Sequence, residues 1–366
     1  MKPLCPLCLI LKHLNTEGHK GYHEGLQGKT DSMKKDELFQ YIGNQAQIGG
    51  SRHYLLADGR GRDMRAIDVN TGSGLNYTIL PDRGMDISLA SFRGNNLVYL
   101  SCNGETHPAF FEPQGFGWLH TFTGGLLTTC GLTYLGAPVK DGDEELGLHG
   151  RYSTIPARQV ADLSEWVGDE YHIRLRGIVD EGRIFGHRMR LEREISSIQG
   201  QNTIRIRDIV TNFGYKTSPY TILYHMNLGY PLLSEFSELI LDPASTVAAT
   251  PYAEEGINEF RRFIKPVANC QEQVYFHSVK ADNKGKAQVS LQNRQLGVSL
   301  KIRFNADQLP YLTEWKMMGM GDYVLGLEPC NVPAKHRVAL KADNILPYLK
   351  AGETVTNEIE VELSDL

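Results

Sequence analysis

Three short stretches of this chain set an ionisable side chain on the face opposite a row of apolar ones. In YVLGLEPCNVP (323–333), Leu325 and Leu327 anchor a strand while Val324, Gly326 and Glu328 face the other way. Pro329 should end the pairing there, leaving Glu328 at a strand end beside a glycine. In TILYHMNLGYP (221–231), Ile222, Tyr224, Met226 and Leu228 alternate with Leu223, His225 and Asn227, so His225 and Asn227 look out together. In EELGLHGR (144–151), Leu146 and Leu148 share one strand face, and Gly147, His149 and Arg151 the other, with glycines on both sides of His149 leaving room for a ligand. A carboxyl and an imidazole facing one cleft can move protons in both directions near neutral pH. Taken singly, each residue has an ordinary alternative. A lone histidine in an apolar strand is usually a hydrogen-bonded core or surface group, and a strand glutamate can simply block edge-to-edge pairing.

The elements that must hold these side chains read as strands. From Leu75 onward the chain alternates apolar and polar residues between turn signals, the period-2 pattern of half-buried strands. In YHIRLRGIV (171–179), Ile173 and Leu175 oppose His172, Arg174 and Arg176. In QLGVSLKIRF (295–304), Leu296, Val298, Leu300, Ile302 and Phe304 fall on one face. In TVTNEIEVEL (354–363), Val355, Ile359, Val361 and Leu363 oppose Glu358, Glu360 and Glu362. MRLEREISSI and NTIRIRDIV flank QGQN as a hairpin. Helical patterns are few, apart from a short amphipathic helix expected in MKKDELFQYIG, with Leu38, Tyr41 and Ile42 on one side. The expected architecture is an all-β, large antiparallel β-sandwich: a leader over residues 1–32, then one domain over 33–366.

Composition excludes several classes of protein. The chain has 366 residues, 41% hydrophobic and 22% charged, so a packed core is affordable and neither disorder nor fibre fits. Thirty-eight Lys+Arg against 43 Asp+Glu leave a formal charge of −5, with no basic field to recruit nucleic acid or anionic lipid. No apolar run reaches the roughly 18 residues that suggest a membrane span. The six cysteines are scattered, which is not a disulfide framework and points to a reducing cytoplasm. Cys5, Cys8, His13 and His19 form a nominal zinc set, but the gap from Cys8 to His13 is much shorter than in a zinc finger. A polar leader accounts for them better, and the start MKPLCPLCLIL lacks the cleavage site of a secretory signal.

Read together and in order, GLHG, YHMNLGYP and GLEPCNVP resemble the motifs of the aldose 1-epimerase (galactose mutarotase) family, LHG, then NH-x-YFNL, then LE-x-Q-x-x-P. The similarity runs from about Leu75 to the C-terminus and includes the late KAGET turn. It implies a galactose mutarotase-like sandwich, a free sugar as the small-molecule partner, and interconversion of its α and β anomers without metal or organic cofactor. It also implies roles: His225 as catalytic acid, Glu328 as catalytic base and His149 as a sugar-binding histidine. With Glu328 as carboxylate and His225 as imidazolium, the acidic limb of a pH–rate profile would belong to Glu328 and the alkaline limb to His225.

The chain also departs from the family pattern. Asn-His has become Tyr224-His225, and the stretch FTGGLLTTCGL (122–132) contains no arginine where the family carries a substrate-binding one. No aspartate around PYAEEGINEF matches the family's substrate-binding carboxylate. In LPDRGMDISLA (80–90), Arg83 and Asp86 are candidate substitutes, since a strand alternating Asp82, Gly84 and Asp86 against Arg83, Met85 and Ile87 would send one charge into the cleft. A turn-capping ion pair is an equal alternative. Asn227 and Arg151 complete the candidate sugar-binding groups, and Trp118, Trp315 and Tyr311 could stack on a sugar's apolar face or belong to the core. These departures imply a divergent branch acting on a sugar other than galactose. Two other readings compete: a metal site made of His149, His225 and Glu328, and a carbohydrate-binding sandwich that has lost turnover.

Overall fold

The computed structural model describes residues 33–366, so the leader and the Cys5, Cys8, His13, His19 set lie outside the described residues. Among these residues the chain divides into a segment ending at Gly43 and a compact unit, Asn44–Leu366. The helix expected near residue 35 forms only over Lys35–Leu38, buries none of its residues, and leaves Tyr41 78% exposed. Four residues give one turn, too short for the apolar stripe drawn from the sequence.

The compact unit is built from antiparallel sheets of nine, six and five strands, with two small two-stranded pairs. The nine-stranded sheet shows why alternation was readable. On Val298–Asn305 and Thr354–Asp365, Val298, Leu300, Ile302, Phe304, Ile359, Val361 and Leu363 point into the main core. Outward-facing residues of the same sheet form cross-strand ion pairs, among them Arg205–Glu360, Arg303–Glu360 and Arg174–Glu194. Such exposed pairs add little stability each, but they keep a wide sheet face wet and resistant to association. The hairpin around QGQN is present, pairing Arg188–Ile198 with Thr203–Asn212.

The six-stranded sheet holds the candidate site. Its order is Ser245–Ala248, Gln273–Ser278, Tyr311–Met318, Tyr323–Cys330, Thr221–Leu228, Thr128–Leu132. All eight residues of Thr221–Leu228 are buried because both faces of the strand are covered. Ile222, Tyr224, Met226 and Leu228 join the main core, and Leu223 joins a second apolar cluster with Trp118, Phe122, Cys130, Val324 and Cys330. Tyr323–Cys330 divides in the same way, with Leu325 and Leu327 in the main core. Pro329 does not end the pairing: it sits opposite Leu312, and Cys330 pairs with both Tyr311 and Leu223. Asn331 then closes the strand end, accepting from Ile222 N and donating to Tyr220 O.

Two local alternations fail. The strand in EELGLHGR stops at Leu146, and His149 and Gly150 both have positive φ, 57° and 85°. The backbone therefore turns where a strand was expected. A side chain at Gly147 would meet Pro113 O at 2.3 Å and one at Gly150 would meet Gly131 O at 2.4 Å, so these glycines admit neighbouring backbone and not a ligand. In LPDRGMDISLA, Pro81–Arg83 form a 3₁₀ turn, Gly84 and Met85 have positive φ, and the strand begins only at Asp86.

Candidate active site

His225 and Glu328 come from neighbouring strands. The pairing register is the same at Leu223↔Cys330 and Met226↔Leu327, which sets His225 opposite Glu328 and Asn227 opposite Gly326. Thr313 and Trp315 lie across from Glu328 and Gly326 on the other side. One face of three adjacent strands thus carries His225, Asn227, Gly326, Glu328, Thr313 and Trp315. His225 Nε2 lies 3.1 Å from Glu328 Oε1, but the two are not aligned as a hydrogen bond, and Oε1 has no other partner. Gly326 makes the approach possible. A Cβ there would fall 2.5 Å from Glu328 Oε1 and 3.0 Å from Trp315 Cβ.

Aromatic rings enclose the pair. Phe122 and Trp315 stand with ring centroids 5.4 Å from that of His225, and Trp118 stands at 6.4 Å. Trp118 stacks on Phe122 at 4.5 Å and lies 4.9 Å from His149. His149, carried in by its turn, meets His225 edge to face at 5.7 Å. Trp315 Nε1 donates to Glu272 Oε2 at 2.8 Å, which holds the indole at the rim. His225 is 4% exposed and Glu328 2%.

This enclosure sets the protonation of the pair. Burial, joined by the charge of Glu272, pushes the Glu328 carboxyl well above the usual carboxylate range. Burial, joined by the nearby His149, holds His225 well below the usual histidine range, only partly opposed by the polar side chain of Asn227, which favours the charged ring. His149 is lowered to about 4 by burial. Burial thus favours the neutral form of each group, against the carboxylate–imidazolium state expected from sequence, because taking two charges out of water is costly.

The remaining expected site residues divide clearly. Asp86 faces the other side of the sheet, where its carboxylate accepts from Thr129 N and Oγ1 and from Arg193 Nη1 at 2.8 Å. It is a structural anion and not a cleft residue, because the 3₁₀ turn and the positive-φ pair break the alternation that was to aim it. Asp82 is likewise occupied, by Arg65. Arg83 is buried and donates to Thr106 O at 2.8 Å. Arg151 is exposed and lines a groove of about 770 Å³ with Tyr134, Glu145 and Asp180. Asn227 shares the face of His225 but is fully buried, its Nδ2 donating to Gly125 O and His225 O. Trp118 and Trp315 both reach the pair, whereas Tyr311 packs against the second apolar cluster. Among the described residues no three His, Cys, Asp or Glu side chains are placed to hold a metal ion, so His149, His225 and Glu328 do not form the ligand set considered from sequence.

Phe122 and Glu272 were missed. Phe122 lies within the stretch where the family carries its arginine, and Glu272 lies between the second and third motifs, beyond PYAEEGINEF. Only the fold brings either one to the pair.

The fold has close counterparts among solved structures. A candidate aldose 1-epimerase from Klebsiella pneumoniae superposes with a TM-score of 0.82 at 24% identity, covering 90% of this chain and 86% of that one. A galactose mutarotase-like protein from Clostridium acetobutylicum gives 0.62 at 12% identity, covering 87% and 100%. Galactose 1-epimerase from Lactobacillus acidophilus gives 0.56 at 12%, covering 87% and 99%. At these identities the likeness establishes a galactose mutarotase-like β-sandwich. No curated protein matches the sequence. The model of the DUF4432 family, a domain of unknown function, matches residues 61–363, and the chain belongs to that family.

Proposed function

We propose that the protein is an aldose 1-epimerase-type isomerase that interconverts the α and β anomers of a free, uncharged sugar, with Glu328 and His225 as its acid–base pair. The observation that carries this reading is the approach of His225 Nε2 to 3.1 Å from Glu328 Oε1 on adjacent strands within an aromatic enclosure. The neutral pair and the carboxylate–imidazolium pair hold the same protons and differ only in where one of them sits. Sugar hydroxyls that hydrogen-bond to Glu328 replace lost solvation and favour the charged arrangement. Glu328 then takes the proton of the anomeric hydroxyl as His225 gives one to the ring oxygen, and the bond between the ring oxygen and the anomeric carbon breaks. The open aldehyde rotates and recloses by the reverse transfers, leaving both groups as they began. Each positioned group is worth about 10²–10⁴-fold. Trp118, Trp315 and Phe122 supply the apolar wall for a sugar face.

Polarimetry on freshly dissolved neutral aldoses, with the parent protein and with Glu328→Gln and His225→Asn, tests the reading. The parent should speed mutarotation of at least one sugar. Each variant should lose most of that rate while its affinity stays within about tenfold, or roughly 1.4 kcal/mol, and the double variant should be little worse than either single one, since one relay cannot be lost twice. Sugar binding without any accelerated mutarotation in the parent would make the protein a carbohydrate-binding sandwich.

A further inference from the structure

The strand Thr221–Leu228 carries three buried polar atoms without partners, and two of them, His225 Nδ1 and Asn227 Oδ1, lie on one face two residues apart beside Glu328; the third, Thr221 Oγ1, lies at the far end of the strand. The amide orientation is settled by its other end, since Nδ2 donates to Gly125 O at 3.1 Å and to His225 O at 2.9 Å. Both neighbours are acceptors, so the nitrogen must face them and the oxygen must face away. Two polar atoms left unpaired in a closed interior lose their water without replacement, which is costly. That cost disappears if an Nδ1–H donates to Oδ1.

We propose that Asn227 is the positioning residue of His225: its Oδ1 accepts from Nδ1–H and so presents Nε2, 3.1 Å from Glu328 Oε1, as the nitrogen that exchanges a proton with the sugar. This extends the acid–base reading of His225 and rests on it. A histidine has two tautomers, and a mechanism through Nε2 needs the neutral ring protonated on Nδ1. The other groups facing the ring are Glu328 on the adjacent strand, His149 from its turn, and the uncharged rings of Trp118, Phe122 and Trp315. Of these, His149 also has an unpaired Nδ1, but Asn227 Oδ1 is the orphaned acceptor on the strand of His225 itself and on the same face. The same hydrogen bond supports the charged ring against burial, as a proton donor to the sugar requires. Asn227 would thus act through His225 without touching the substrate, in place of the sugar-binding role expected from its strand face.

The test is NMR of ¹⁵N-histidine-labelled full-length protein, with the His225 ring assigned by its absence from the His225→Asn spectrum. The expected neutral ring carries its proton on Nδ1. In Asn227→Leu the Nε2–H form should appear, and turnover should fall at least tenfold with KM within about twofold. Asn227→Asp, which keeps an acceptor, should retain the Nδ1–H form and titrate at higher pH than the parent. An Nε2–H ring at His225 in the unaltered protein overturns the proposal even if no Asn227 variant folds, and so does an unchanged ring tautomer in folded Asn227→Leu. The tautomer is read without turnover, so a protein inactive on every sugar would sink the epimerase reading alone.

Discussion

At the scale of single residues, the opposite shifts of the pair set the expected pH dependence. His225 is held below its ordinary range and Glu328 above its own, so the limbs of a rate profile exchange owners relative to the sequence expectation. The acidic limb should follow addition of a second proton, to histidine, below about pH 6.5, and the alkaline limb loss of the remaining one from the Glu328 side. The residual rate of Glu328→Gln should therefore keep the acidic limb and lose the alkaline one, as stopped-flow polarimetry across pH would register. Gly326 is the second lever. In Gly326→Ala the new methyl would fall 2.5 Å from Glu328 Oε1, so the carboxyl must move off the histidine. Turnover should drop by about 10²-fold, the size expected when one acid–base group is displaced, with circular dichroism reporting an intact fold.

At the scale of elements, the turn bearing His149 gives the site its acid sensitivity. Its ring is neutral in the folded protein down to about pH 4, whereas in the unfolded chain it binds a proton near 6.5. The unfolded state therefore takes up protons first as pH falls, so stability is complete above about 6.5 and is lost progressively towards 4. The ring is partly exposed although its Nδ1 is buried, so the loss should be on the order of 1–2 kcal/mol and not the full amount for a sealed group. Urea midpoints measured at pH 7 and pH 4.5 should differ less in His149→Asn than in the parent; equal differences would mean the turn opens and lets water reach the ring. On the rim, the Glu272–Trp315 bond ties the polar edge of an indole already packed on Phe122 and His225 to the end of Gln273–Ser278, making the aromatic wall part of the sheet's own rigidity.

At the scale of the whole molecule, one fully buried cation joins the three large sheets behind the site. Arg193, in the nine-stranded sheet, makes a two-pronged contact with Asp208 at 2.9 and 2.7 Å, reaches Asp86 of the five-stranded sheet at 2.8 Å, and donates to Thr129 of the six-stranded sheet at 2.9 Å. Tyr224 OH, next to His225 in sequence but on the opposite face, donates to Asp208 at 2.8 Å. Removing the cation leaves two carboxylates in an apolar core, which costs about 3–5 kcal/mol. Arg193→Met should therefore lower the urea midpoint sharply or prevent folding. A variant of unchanged midpoint would show that water can enter between the sheets.

Alternation alone determined a good deal of this protein. A strand's side chains change face at every residue wherever the backbone stays extended, so the division of TILYHMNL and YVLGLEPC into core and site faces was legible, and so was the wet face of TVTNEIEVEL. The same rule failed where the backbone left the extended region. His149 and Gly150 turn with positive φ, and Pro81–Arg83 wind into a 3₁₀ turn before Asp86, so faces counted through those residues were miscounted. No local pattern could say that Phe122 and Trp118 meet His225 or that Glu272 meets Trp315, because those contacts are made by strand order and loop packing across long stretches of chain. The charge on the pair was likewise a tertiary decision. The residue types specify an acid and a base, but burial among aromatic rings, a property of the closed fold, favours the neutral form of both.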